Sequence, residues 1–136
     1  MTRARLRRLS WLVCLIVSSL FGAAVASEGP FPFGHELMLD AAPMRGSKRI
    51  PILEIAENGV ASIQLWCISL RAQANVGPDS ISIVVGAAAP AQCAPERQAG
   101  DDNLLAALAQ VTNWRRRGDV IELLGATTLR FRLMTN

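Results

Sequence analysis

A chain of 136 residues, 51% of them hydrophobic, is long enough to bury one core, and no composition shift or repeat marks a second domain. Its formal charge of +3 comes from 14 basic and 11 acidic residues, yet Arg3, Arg5, Arg7 and Arg8 all precede residue 27. From residue 27 onward 10 basic residues face 11 acidic ones, so the alkaline balance gives no ground for a nucleic-acid partner.

Those four arginines open an export signal. Residues 11–21 are almost continuously apolar, and Ala24-Val25-Ala26 has the small-x-small pattern that signal peptidase cuts, before Ser27. The expected organisation is a signal peptide over 1–26 and one domain over 27–136, released to the periplasm or secreted. An uncleaved anchor is the competing reading, but spanning a bilayer takes roughly 20 apolar residues. Arg7-Arg8 lacks the flanks of a twin-arginine signal. Cys14 lacks the small residue that precedes a lipidated cysteine. Export leaves Cys67 and Cys93 where thiols oxidise.

Residues 27–34 hold two prolines, two glycines and two phenylalanines, and read as a lead-in. Short strands are predicted over 36–40 and 49–56, where Pro51 suggests an edge or a bulge because it cannot donate to a ladder. Asn58-Gly59 signals a type I′ hairpin turn. The return strand, 60–67, puts Ala61, Ile63, Leu65 and Cys67 on one face, with Val60, Ser62, Gln64 and Trp66 on the other. A second hairpin pairs 70–76 with 81–85 around Gly77-Pro78-Asp79. Residues 86–100 read as a small-residue loop.

One helix is expected from Asp101 to about Gln110, capped by Asp101 or Asp102, with Leu104, Leu105, Leu108 and Val111 forming its apolar stripe. Strands over 112–117 and 120–124 then flank Gly118-Asp119. A last strand over 128–134 points Leu129, Phe131 and Leu133 inward and Arg130 and Arg132 outward. The class is α+β: a small, mostly antiparallel, strongly curved or barrel-like sheet of about seven strands with one helix packed on it.

With its elements in this order the chain resembles the META/HslJ-like family of exported bacterial domains, from about Pro32 to Leu133. The residues that carry the resemblance are Leu65-Trp66-Cys67, Gln92-Cys93 and the segment Asp102-Asn103-Leu104-Leu105-Ala106-Ala107-Leu108. Val111, Trp114, the hairpin Arg117-Gly118-Asp119-Val120-Ile121-Glu122-Leu123 and Leu129-Arg130-Phe131 complete it. Trp66-Cys67-Ile68 stands where the family often has Gly-Cys-Asn, so a role tied to that asparagine does not carry over. The resemblance implies a fold, a compartment and loose links to stress or antibiotic tolerance and virulence, rather than a reaction.

Cys67 and Cys93 are candidates for a disulfide, a closure worth roughly 3–4 kcal/mol. Free thiols and a redox pair are the alternatives, the last weakened by the absence of Cys-x-x-Cys spacing. His35 is the one histidine, too few for the usual metal site, and a nucleophilic triad would need it to meet a serine and a carboxylate. The candidate interaction surface is Arg115, Arg116, Arg117, Arg130 and Arg132 with Trp114, set against a plain solvated strand face. Trp66 and Trp114 either join such a surface or fill the barrel. The reading is a non-enzymatic, monomeric module that needs no cofactor and meets an unidentified envelope component or protein. A carrier holding a small apolar ligand between helix and sheet is the alternative, and an undetected hydrolase a third.

Overall fold

Period-two alternation runs through most of the chain, and each alternating stretch pairs with its neighbour. The computed structural model describes residues 27–89 and 92–135; the export signal expected over 1–26 lies outside the described residues. The strands are β1 (Leu37–Leu39), β2 (Ile52–Ile55), β3 (Val60–Gln64), β4 (Ser69–Val76) and β5 (Ile81–Val85). After the helix α1 (Pro95–Ala109) come β6 (Asn113–Arg117), β7 (Val120–Leu124) and β8 (Leu129–Leu133). Eight strands rather than about seven form one antiparallel sheet in the order β5-β4-β3-β2-β1-β8-β7-β6.

The two ends of that sheet curl toward each other. Ser80 bridges Asn113, the Ile81 amide donates to Thr112 at 2.9 Å, and the Trp114 amide donates to Asp79 at 2.9 Å. The result is a nearly closed barrel, with α1 packed beside β5. Its interior is filled by Leu37, Leu53, Ile55, Ile63, Ile121, Leu123 and Phe131, all fully buried. Burying one such side chain stabilises the fold by about 1.5–3 kcal/mol.

Three local expectations are corrected. Pro51 lies neither at an edge nor in a bulge: β2 is interior to the sheet, and Pro51 precedes it, where only its carbonyl is used, accepting from the Leu39 amide at 2.9 Å. The turn at Asn58-Gly59 is not type I′, because of the two only Gly59 has positive φ, at 84°. Ala56 and Gly59 close a turn of the ordinary hand, and Gly59 then supplies the left-handed residue of a three-residue hairpin loop. The helix starts six residues earlier than expected. Pro95 occupies its first turn, where a missing N–H costs nothing, and Ala94 accepts from the Arg97 and Gln98 amides without a side-chain cap.

The lead-in is part of the body. The Glu28 amide donates to Arg116 at 2.8 Å, so the segment lies along β6, the strand at one edge of the sheet. Phe31 is buried edge-on against Trp114, with ring centroids 5.1 Å apart. Among the described residues no helix is long and apolar enough to cross a membrane.

Candidate functional site

Asp101 is the one buried charged residue among those described, 2% exposed in the middle of α1. It caps nothing, because the helix begins at Pro95. Its Oδ1 accepts from the Trp66 amide at 2.9 Å, and Oδ2 accepts from the Cys67 and Ile68 amides at 3.0 and 3.2 Å. These three consecutive N–H groups converge because residues 65–68 form a tight turn between β3 and β4, closed by the Leu65 amide donating to Ile68 at 2.8 Å. Trp66 is thereby turned inward with Leu65, and the strand alternation expected through Cys67 stops at Gln64. With both oxygens engaged, Asp101 latches helix to sheet; Asp102 beside it is exposed. Cys67 and Cys93 meet at the same junction, with Cα atoms 6.0 Å apart, inside the disulfide range.

Sequence reasoning placed Asp101 at a helix start and missed the latch. A signal for it existed: Asp101, Leu104, Leu105 and Leu108 follow the spacing of a single helical face.

The arginines divide. Strand register sets Arg115 opposite Glu122, and Glu122 opposite Arg130, on the outside of the barrel. The next row sets Arg117 opposite Val120, and Val120 opposite Arg132. Arg115 is hydrogen-bonded through Nε to Glu122, whose other oxygen lies 3.7 Å from Arg130 Nε. Arg132 Nε lies 3.6 Å from Asp40. Four guanidiniums thus surround Val120 and Glu122, with Glu122 and Asp40 as their acidic neighbours.

Arg116 is not part of this array. It shares a strand face with Trp114 and emerges at the barrel end, donating through Nε to Gly118 at 2.8 Å and through Nη1 to Pro30 at 3.0 Å. Trp114 leaves the expected surface altogether. It is 4% exposed, its Nε1 donates to Gly77 at 2.9 Å, and its ring fills the space under Phe31. Both polar ends of these side chains are satisfied by backbone carbonyls, which is why an inward face can carry them.

His35 is exposed in the turn before β1. Among the described residues no group of three histidine, cysteine or acidic side chains is gathered as for a metal ion. The clefts lie on the surface of the packed barrel. One of about 530 Å³ runs between α1 and the sheet and is lined by Leu39, Trp66, Leu104, Ala107, Gln110 and Leu129. The Trp66 Nε1 is buried without a hydrogen-bond partner.

A curled antiparallel sheet with one late helix, latched through a carboxylate and a cysteine pair, defines a small α+β domain of barrel type. The chain belongs to the META domain family: that family's model matches residues 35–135, as the resemblance implied. No curated protein and no solved structure matches it.

Proposed function

We propose that this META domain is a non-enzymatic, exported module that works in cell-envelope maintenance or stress tolerance by surface contact with an anionic envelope component. The observation that supports this reading is the two-by-two array of Arg115, Arg117, Arg130 and Arg132 on the outer wall of β6 and β8. Arg117, Arg130 and Arg132 are exposed, and strand pairing holds them at fixed spacing around an apolar Val120. Guanidiniums presented in this way match carboxylate or phosphate groups bidentately. The packed interior is compatible with recognition by surface contact.

The test is affinity capture from envelope extract, comparing the wild type with R117A/R132A, which leaves the Arg115–Glu122–Arg130 row in place. The double variant should lose the captured anionic material, and salt should elute it from the wild type. Identical capture by both proteins rejects the arginine face.

A carrier is the second reading, favoured by the cleft between α1 and the sheet, whose size is that of small-molecule sites. Enhanced fluorescence of an apolar dye, abolished by Leu104→Glu, would support it.

A further inference from the structure

A second hollow lies away from both the arginine wall and the α1 cleft. It forms where the loop between β2 and β3 stands beside the outer face of β4 and β5, and it measures about 420 Å³. Register builds its floor: Gln73 is opposite Val84 and Asn75 is opposite Ser82, so four outward side chains form one tile. Asn58 rises beside the tile on the loop, which is pinned to β4 by the Ala74 amide donating to Gly59 at 2.8 Å. Phe33 closes one side.

The polar lining of this hollow is mostly uncharged. Asn58, Gln73 and Asn75 bring three carboxamides, each able to donate and accept, and Ser82 adds a hydroxyl. The Asn58 Oδ1 is used by the Val60 amide at 3.0 Å, leaving its NH2 group. The side chains of Gln73, Asn75 and Ser82 form no hydrogen bond with other described residues. Beside these groups stand two apolar surfaces: Val84, 69% exposed, and the half-buried Phe33. Glu57 is the one charged residue lining the hollow.

We propose that this hollow binds a neutral saccharide of one or two rings. A sugar ring has an apolar C–H face and a rim of vicinal hydroxyls that both donate and accept. Val84 and Phe33 meet the first requirement, and the carboxamides with Ser82 meet the second. The Glu57 carboxylate accepts from hydroxyls and repels acidic sugars. The volume falls within the roughly 300–1,000 Å³ of small-molecule sites. This site is independent of the arginine wall, so R117A/R132A leaves saccharide binding intact whatever becomes of the contact reading.

The experiment uses ¹⁵N-labelled protein recovered from cells expressing the full chain. It is titrated with maltose, N,N′-diacetylchitobiose and, as the acidic control, glucuronate, to about 20 mM, enough to register a Kd near 1 mM. At least one neutral sugar should shift the side-chain amide signals of Asn58, Gln73 and Asn75, while glucuronate leaves them unmoved. Q73A/N75A should weaken binding about tenfold or more. Val84→Asp, at an exposed position, is the second variant should the first misfold, and it should also abolish the shifts. No shift with either neutral sugar, shifts confined to other surfaces, equal shifts with glucuronate, or binding unchanged in both folded variants would overturn the proposal.

Discussion

Asp101 is nearly inaccessible to water, where an unpaired carboxylate would cost several kcal/mol. It is tolerated because three backbone N–H groups of residues 66–68 point at it, and those groups in turn have no other described partner. Asp101→Ala should therefore destabilise the domain by about 2–4 kcal/mol, leaving one buried and two half-buried donors unmet. Asp101→Asn should cost nearly as much, since its NH2 group would face N–H donors, whereas the exposed Asp102→Asn should be near neutral. Equal melting temperatures for the two asparagine variants would refute the latch. The same residue shows where reading the chain fell short. An acidic residue just ahead of a leucine stripe has the look of a cap, and only the buried partner turn, remote in sequence, reveals otherwise. Trp114 misleads in the same manner: its neighbour two residues on is Arg116, a polar signature for that face, but the guanidinium leaves through the barrel end.

At the scale of elements, strands were legible because side chains alternate across a sheet, and the apolar member of each pair here faces a filled interior. The helix was legible only from Asp101 onward. Its first half, from Pro95, is mostly polar and carries no stripe; it is helical because Pro95 starts it and Asp101 anchors it. Close approach was invisible as well. At Gly125, between β7 and β8, a Cβ would stand 2.5 Å from the Gln110 carbonyl oxygen, so the turn fits against the end of α1 only without a side chain. The Cys67–Cys93 pair ties the β3–β4 turn to the segment leading into α1. With the pair oxidised, reductant should lower stability by about 3–4 kcal/mol, with C67A/C93A melting alike with and without reductant. Thermal melts under both conditions decide this, and an unresponsive wild type would show free thiols.

For the molecule as a whole, the α+β class and the curled sheet follow from eight short alternating stretches joined by tight turns. A barrel-like sheet was expected too, but not where its ends meet, because the Ser80–Asn113 bridge joins residues that no local pattern relates. The role of residues 27–34 was hidden as well, since their prolines and glycines suggest a tether although Phe31 completes the core beside Trp114. Phe31→Ala should cost about 3 kcal/mol, measurable by chemical denaturation; a loss below about 0.5 kcal/mol would mean that the segment is an appendage after all. Binding surfaces were the least legible level. The arginine array could be anticipated from two-residue spacing on β6 and β8, but the amide-rich hollow depends on register between strands and on the loop above them.

The carboxylate latch also bears on the order of events in maturation. Asp101 binds the backbone of the very residue whose sulfur must find Cys93, and it needs no oxidant to do so. If the chain is exported as proposed, it can dock its helix first, presenting the two thiols to each other already aligned. Oxidation would then record a choice of partner that non-covalent folding has made.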